Sequence, residues 1–258
     1  MANPNSASTS VNRSYRRELC PPGMRSFTLV VKETDLWVAV DEAACISDLV
    51  GGLENYIWRQ RTFLENYLEQ DANFRKALTP YLTQPGAPEL AVRMTRAANR
   101  AGVGPMAAVA GAFAQLAGEW LLNRTSQVIV ENGGDIFFCC RQAVSIGVYA
   151  GASPFSNRLV IEVDAPGQRR GICTSSATVG PSYSMGQADA AVIFGVDTLL
   201  ADAVATAAAN MVRTQEDLEK ALQFAMGIEG VEGALVILND KLAACGNIQL
   251  RQRLVADK

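Results

Sequence analysis

The sequence predicts an α+β fold in which antiparallel sheets have helices packed on one face. Strand-like segments cluster in pairs around long segments with helical spacing, whereas a doubly wound parallel sheet would alternate strands and helices one by one. The order hairpin, helices, strands is followed by the order hairpin, helices, hairpin, which indicates a duplicated unit. With 258 residues, 49% of them hydrophobic, the chain is long enough to bury the core of one large domain or of two fused halves.

The first half is predicted from changes in the hydrophobic period. Residues 1–14 are rich in Asn and Ser and are expected to form a disordered tail. Two strands, at 25–31 and 36–40, flank a hairpin connection. Three helices are then expected, over 42–69, from the proline within 87–90 to Gly102, and over about 105–122.

The second half begins where the helical period gives way to alternation. Six strands are predicted, at 126–131, 135–140, 144–150, 158–164, 170–175 and 188–195. Asp197 can cap a helix over roughly 198–212, and a further helix fits 215–227. A last hairpin is expected at 233–238 and 241–245, across a tight turn at Asn239 and Asp240.

Composition excludes several classes of function. A net charge of −3, with only scattered basic pairs, offers no electrostatic footprint for nucleic acid or for an anionic membrane. The apolar run 106–122 is interrupted by Gln115 and Glu119, which favours a buried helix over a membrane span, and a cytoplasmic location is expected. The six cysteines form no C-x-x-C pair, and Cys139 and Cys140 should point to opposite faces of one strand.

The sequence contains no histidine. Its absence excludes Ser-His-Asp and Cys-His nucleophilic schemes and nearly every catalytic zinc site built on imidazole. Chemistry in this protein must therefore use carboxylates, hydroxyls, backbone amides, lysine, arginine, a metal or a cofactor.

Three stretches carry candidate binding residues. Residues 130–137 place Gly133 and Gly134 before Asp135, either as a turn where bare backbone meets a ligand or as a plain hairpin turn. The glycines of 101–120 suit either a helix N-terminus near a phosphate or close helix packing. Residues 173–180 offer consecutive hydroxyls after a strand, for a nucleotide or flavin ring edge or as an ordinary polar loop.

Asp202 and Thr206 stand four residues apart in an alanine-rich helical stretch, so they share one face. A carboxylate and a hydroxyl are hard oxygen donors of the kind that Mg²⁺ prefers, with water and substrate phosphates completing the octahedron. Both residues also have a structural interpretation. Asp202 would favour the early turns of its helix through the dipole, and Thr206 would bond back to the carbonyl four residues earlier.

The segments 133–136, 174–176 and 201–207 resemble, in this order, motifs of the ApbE-type flavin transferases. Proteins of that family bind FAD and use Mg²⁺ to move FMN onto a threonine of a partner protein. Three further segments, 30–38, 87–94 and 102–114, are similar to an uncharacterised bacterial and archaeal branch of the ApbE-like superfamily. The resemblance implies a duplicated T-fold-like architecture over 15–258, with halves of about 24–150 and 151–246 and the ligand between them.

The resemblance also implies roles for individual residues. Asp202 and Thr206 match the metal-binding positions of the family's Asp-Ala-x-x-Thr pattern. The positions that match cofactor-binding segments are Gly133, Gly134 and Asp135 by the flavin nucleotide, and Thr174, Ser175 and Ser176 in the Thr-Ser-Gly loop, where Ser176 replaces the glycine.

Two departures from the family concern transfer itself. The transferases carry His-x-x-Asp-Pro after the Thr-Ser-Gly loop, whereas this chain has only residues 181–187 there and no histidine. Their Lys-Gly-Tyr corresponds to Ala110, Gly111 and Ala112. The leading hypothesis is therefore a remodelled FAD, FMN or related nucleotide pocket with Mg²⁺ at Asp202 and Thr206, without the contacts expected for transfer.

Two other hypotheses remain open. The branch resemblance implies a non-flavin component, scaffold or partner protein, of anaerobic sulfur assimilation or homocysteine formation. An enzyme acting on a small sulfur metabolite would use Cys173, although a thiol at a strand end is more often part of the core. A flavin or nucleotide ligand, a protein partner and an oligomer are all compatible with the sequence, and nucleic acid is not an expected partner.

Overall fold

A computed structural model describes residues 20–176 and 186–253. Its strands in chain order are β1 (Met24–Val31), β2 (Thr34–Asp41), β3 (Val128–Asn132), β4 (Asp135–Cys139), β5 (Val144–Gly147), β6 (Leu159–Val163), β7 (Arg170–Ser175), β8 (Ala190–Gly195), β9 (Val231–Leu238), β10 (Lys241–Gly246) and β11 (Gln249–Gln252). Eight of them form one antiparallel sheet in the order β1-β2-β3-β4-β7-β8-β9-β10. The other three form a smaller sheet in the order β11-β6-β5.

The helices pack on one face of the large sheet. They are α1 (Ile46–Gln70), α2 (Ala72–Lys76), α3 (Glu89–Ala101), α4 (Val109–Leu122), α5 (Thr198–Met211) and α6 (Leu218–Met226). Alternate strand residues such as Val130, Phe137 and Cys173 join the core beneath the helices. The intervening residues, such as Ile136 and Ile172, pack against the small sheet on the other face. The α+β class with antiparallel sheets and helices on one face is confirmed.

Along the chain, each group of helices is preceded by one pair of strands of the large sheet and followed by another pair. β1 and β2 precede α1 to α4, which β3 and β4 follow; β7 and β8 precede α5 and α6, which β9 and β10 follow. The two groups of four strands meet where β4 pairs with β7, with Asp135 opposite Cys173. This junction places the β3–β4 turn beside the end of β7.

Local sequence explains the ends of several elements. Gly102 ends α3 in the left-handed conformation, with a φ of 74°. Asp197 caps α5 by accepting a hydrogen bond from the Leu200 amide at 2.8 Å. Asn239 takes a φ of 54° in the β9–β10 turn. Cys139 and Cys140 lie in the cores on opposite sides of the large sheet, as alternation predicts.

Other boundaries differ from the prediction. The helix expected from 42 begins at Ile46, and the one expected from 105 starts as a 3-10 turn, Pro105–Ala108, before α4. A second 3-10 turn, Gln215–Asp217, precedes α6, and the strand expected over 144–150 ends at Gly147. Neither α2 nor β11 was anticipated, because elements of five and four residues are too short to establish a period.

The apolar run 106–122 supplies α4, most of which is buried between α5 and the sheet. Of the helices that the structure describes, none is by itself long and apolar enough to cross a membrane; only the bent pair 89–101 and 105–122 meets that criterion jointly.

Gly118→Ala is expected to lower the free energy of unfolding by about 1–3 kcal/mol, the usual cost of overpacking a core. A Cβ at Gly118 would lie 2.0 Å from Cδ1 of Phe137, so α4 would have to move away from β4. Urea denaturation measures the change. Gly51→Ala in α1 is the matched control, because nothing lies within 4 Å of its Cβ position and alanine favours the helix. Equal stabilities for the two variants would contradict the prediction.

Candidate functional site

The candidate site lies where α4 crosses α5. A Cβ at Gly111 would come within 2.5 Å of the Thr198 carbonyl oxygen and 2.8 Å of Cβ of Asp202. Only glycine allows the two helices to touch at this point. Gly111 lies beside Asp202, and the side chain of Gln115 reaches Thr198, so the helices run in opposite directions at the crossing.

Asp202 projects from α5 onto the first turn of α4. Its Oδ2 accepts a hydrogen bond from the Gly111 amide at 2.8 Å, and the side chain is almost fully buried. Burial raises the pKa of this carboxyl well above its usual value, and the negative charge of Asp135 raises it further. Asp202 therefore caps α4, a contact that the sequence did not predict, and its effect on the dipole of α5 stays a prediction.

Thr206 lies one turn beyond Asp202 along α5, in a half-buried position. Within the described part of the chain its hydroxyl makes no hydrogen bond, so the predicted bond back to the Asp202 carbonyl is not formed. The pair therefore presents a carboxyl that binds one amide and a half-buried hydroxyl without a hydrogen bond among the described residues.

Asp135 is the first residue of β4, and its carboxyl lies close enough to Asp202 for the two groups to interact electrostatically. It is 6% exposed, and its Oδ1 has no hydrogen-bond partner among the described residues. Burial raises its pKa to about 7 and the charge of Glu131 adds to the shift, against hydrogen bonds from the Cys173 thiol and the Thr174 amide that lower it. An unpaired buried carboxyl oxygen is costly unless a proton or a cation occupies the space beside it.

Cys173 lies directly opposite Asp135 in β7 and is fully buried. Its Sγ lies 3.3 Å from the Thr198 carbonyl oxygen, and the thiol is also within hydrogen-bonding reach of the Asp135 carboxyl. Burial, with the charges of Asp135 and Asp202, raises the pKa of this thiol well above its usual value. Because the thiolate is the reactive form, this geometry does not support the hypothesis that Cys173 is a nucleophile, and Cys173 belongs to the core.

Gly133 and Gly134 form the two-residue turn of the β3–β4 hairpin, with φ values of 68° and 109°. The Gly134 amide donates to Oε1 of Glu131 at 2.9 Å. Nδ2 of Asn132 donates to the Ala110 carbonyl at 2.9 Å, which ties this turn to the start of α4. The hairpin interpretation of the two glycines is therefore correct, and the turn also adjoins Asp202.

The hydroxyl residues lie at the end of β7. Thr174 and Ser175 are its last two residues, and Ser176 follows; all three are half-buried. The Thr174 carbonyl oxygen lies 3.7 Å from the Cβ position of Gly134, so strand end and turn are neighbours. The remainder of the predicted hydroxyl stretch, 177–180, and most of 181–187 lie outside the described residues.

Asp135, Asp202, Thr174 and the Gly133–Gly134 turn thus lie in one connected set of contacts at one end of the large sheet. Burial raises the pKa of both carboxyls, Asp135 and Asp202, and a cation bound beside them would favour their ionised forms. Among the described residues no group of three or more His, Cys, Asp or Glu side chains could hold a metal ion. Asp202 and Thr206 still suit Mg²⁺, which commonly keeps several waters and binds one or two carboxylates together with substrate phosphates.

Three residues of the site were missed as such: Gln115, Glu131 and Asn132. The only signal in the sequence was that Gln115 interrupts an apolar run. Two surface clefts, of ≈ 390 and ≈ 580 Å³, are lined by Asp41 and Arg141 at the opposite end of the large sheet. They are therefore not part of this site.

Stability should depend on pH through Asp135. Below the ordinary pKa of 3.8 the carboxyl is protonated in both states; between 3.8 and about 7 only the unfolded chain releases the proton. The free energy of unfolding therefore falls as the pH rises through this window. Asp135→Asn is expected to be more stable than the wild type at pH 8, by roughly 2–4 kcal/mol, with the advantage vanishing near pH 4.

Urea denaturation of both proteins at pH 4, 6 and 8 tests this expectation. Because the pKa of Asp202 is also raised, Asp202 makes the free energy of unfolding fall with rising pH in both proteins. The pH dependence of Asp135→Asn should therefore be shallower than that of the wild type, but not absent. Parallel curves for wild type and Asp135→Asn would show that Asp135 ionises normally.

Comparisons with known proteins show which family the sequence matches. A family model described as "AbpE bacteria" matches residues 17–249. A "UPF0280 protein" of Methanosarcina acetivorans is 40% identical over 220 residues, which cover 84% of this chain and 85% of the relative. A "UPF0280 protein" of Methanopyrus kandleri is 38% identical over 231 residues, covering 86% and 91%.

Solved structures with a similar fold include two described as flavin transferases. "Flavin Transferase ApbE from Vibrio cholerae" aligns with a TM-score of 0.56 at 12% identity, covering 88% of this chain and 98% of that one. The apo form of the flavinyl transferase ApbE of Pseudomonas stutzeri aligns with a TM-score of 0.52 at 15% identity, covering 87% and 94%. At these identities the likeness concerns the fold alone.

Proposed function

The chain belongs to the bacterial AbpE family, and from this premise we propose that it binds a flavin nucleotide, FAD or FMN, with Mg²⁺ held by Asp202 and Thr206. The observation that carries the proposal is that Asp202 and Asn132, the residue before the Gly133–Gly134 turn, bond to the adjacent residues Gly111 and Ala110 at the start of α4. Residues far apart in sequence thereby line one location on a fold that flavin transferases share.

Each predicted residue has a physical role in such a site. Asp202 supplies the charge for the cation, and Thr206 supplies a neutral oxygen one turn away. Gly133 and Gly134 leave bare backbone beside α4, so a pyrophosphate can approach closely. Thr174 and Ser175 offer hydroxyls at the end of β7 to the nucleotide or the flavin ring edge. When bound, Mg²⁺ would polarise the pyrophosphate and offset its charge.

We limit this proposal to binding. The sequence has no histidine, and Ala110 stands where the flavin transferases that it resembles carry a lysine. Transfer of FMN to a threonine of a partner would therefore need a different base and a different cation. Among the described residues, Cys173 is buried and its thiol pKa is raised, which argues against this thiol as the reactive group of an enzyme that acts on a sulfur metabolite.

Isothermal titration of the purified protein with FAD and with FMN, each with Mg²⁺ and with a chelator, tests the proposal. FAD is expected to bind more tightly with Mg²⁺, and FMN to gain less, because FMN lacks the pyrophosphate that the cation would bridge. No binding of either nucleotide would refute the flavin site. Binding that is equal with and without Mg²⁺ would refute the metal site and leave Asp202 as a cap of α4.

A further inference from the structure

We propose that Gln115 is the positioning residue that holds Asp202 in place, an inference that rests on the proposed function only for its effect on Mg²⁺. α4 and α5 are joined by two side-chain bonds one turn apart, made in opposite directions. Asp202 of α5 binds the Gly111 amide of α4 at 2.8 Å. Gln115 of α4 binds the Thr198 amide of α5 at 2.7 Å. Each helix thus supplies the acceptor for an amide in the first turn of the other.

The spacing makes the two bonds interdependent. Gly111 and Gln115 are four residues apart on α4, and Thr198 and Asp202 are four apart on α5, so each pair lies on one helix face. Between the bonds the backbones touch, since a Cβ at Gly111 would lie 2.5 Å from the Thr198 carbonyl oxygen. A shift of α5 that breaks the Gln115 bond therefore also moves Asp202 relative to Gly111.

Neighbouring groups fix the orientation of the Gln115 amide. Its Nε2 donates to Oε1 of Glu119 at 2.9 Å and to Oδ2 of Asp197 at 3.3 Å. Glu119 is itself held by two bonds from Arg93 of α3, each 3.0 Å long. Because both carboxylates accept from Nε2 of Gln115, the Oε1 atom of Gln115 points to the Thr198 amide. Gln115 is 8% exposed, so water does not readily replace these bonds.

The test uses Gln115→Leu, which preserves the bulk of the side chain and removes its polar atoms. Amide hydrogen exchange of the ligand-free protein is followed in 109–112. The first amides of a helix have no acceptor within it, so protection of Gly111 depends on Asp202. We expect these amides to exchange faster than in the wild type, approaching the rate in Asp202→Ala. Unchanged protection would overturn the proposal whether or not the protein binds a flavin.

A second readout concerns the metal. The Mg²⁺ concentration that gives half-maximal enhancement of FAD binding is expected to rise roughly 10- to 100-fold in Gln115→Leu, the usual cost of losing a group that orients a metal ligand. FAD affinity in chelator should change less than twofold. Leu121→Ala is the control for lost stability, since Leu121 is fully buried near the other end of α4. It should lower the melting temperature and leave the Mg²⁺ requirement unchanged.

The outcomes separate the two proposals. Faster exchange at 109–112 in a protein whose wild type shows no Mg²⁺-dependent FAD binding would support the positioning role and refute the proposed function. An equal rise in the Mg²⁺ requirement for Gln115→Leu and Leu121→Ala would show that Gln115 only stabilises the fold, and it would overturn the positioning role. Should Gln115→Leu not fold, Glu119→Gln replaces it: removing the charge that orients the Gln115 amide should produce a smaller change in the same direction in both readouts.

Discussion

Asp202→Asn is expected to abolish the Mg²⁺-dependent part of FAD binding while the protein keeps its fold. Asparagine still offers an oxygen to the Gly111 amide, so the cap of α4 survives. It lacks the charge that would hold the cation. We expect the Mg²⁺ requirement to rise more than about 100-fold, beyond the usual effect of losing a group that only orients a ligand. Titration of FAD against increasing Mg²⁺ measures the change.

Asp71→Asn is the matched control for this variant. Asp71 is also a buried aspartate, but it accepts bonds from Tyr67, Phe74 and Tyr81 next to α2. Those bonds lower the pKa of Asp71, against the desolvation that raises it, so its replacement should cost stability and leave the Mg²⁺ requirement alone. Asp202→Asn should instead raise the melting temperature at neutral pH, because the fold raises the pKa of Asp202 and the wild-type carboxyl therefore favours the unfolded chain, in which it ionises freely. Retained Mg²⁺ dependence in Asp202→Asn would contradict the assignment of Asp202.

Gly111→Ala is expected to have the largest combined effect on folding and binding. The added Cβ would lie 2.5 Å from the Thr198 carbonyl oxygen and 2.8 Å from Cβ of Asp202, so α4 and α5 must separate. Overpacking of this kind costs about 1–3 kcal/mol. The separation also moves Asp202 away from the turn at Gly133 and Gly134, so Mg²⁺-dependent FAD binding should be lost together with stability.

Gly118→Ala separates the two effects, because its clash is with Phe137 on the sheet side of the same helix. Both variants should be destabilised when compared by urea denaturation. Only Gly111→Ala should lose the Mg²⁺ response when FAD binding is measured at a temperature where both proteins are folded. If Gly118→Ala lost that response to the same extent, the helix crossing would have no special part in the site.

Most of the fold could be predicted because its elements are long and regularly patterned. The helical spacing of residues in 42–69 and the alternation of residues in 188–195 depend only on neighbours along the chain. The short β11 and the packing of the small sheet against the large one depend instead on contacts between distant segments. Local patterns do not contain that information.

For the candidate site, too, individual residues could be predicted from the sequence, but the contacts between distant segments could not. The resemblance in sequence predicted Asp135, Thr174, Asp202 and Thr206 as site residues, whereas their environment could not be predicted. That Asp135 faces Cys173 follows from the pairing of β4 with β7, and that Asp202 caps α4 follows from the helix crossing. The raised pKa values result from burial in that arrangement. A cytoplasmic location, a protein partner and an oligomer stay predictions from the sequence.

The most direct test is anomalous diffraction from crystals of the protein grown with FAD and Mn²⁺ in place of Mg²⁺. Manganese prefers the same hard oxygen ligands and can be located by its anomalous signal. We expect one strong peak within coordination distance of the Asp202 carboxylate and the Thr206 hydroxyl, with the FAD pyrophosphate next to it and to the turn at Gly133 and Gly134. FAD bound elsewhere, or a metal peak that does not contact Asp202, would contradict this account.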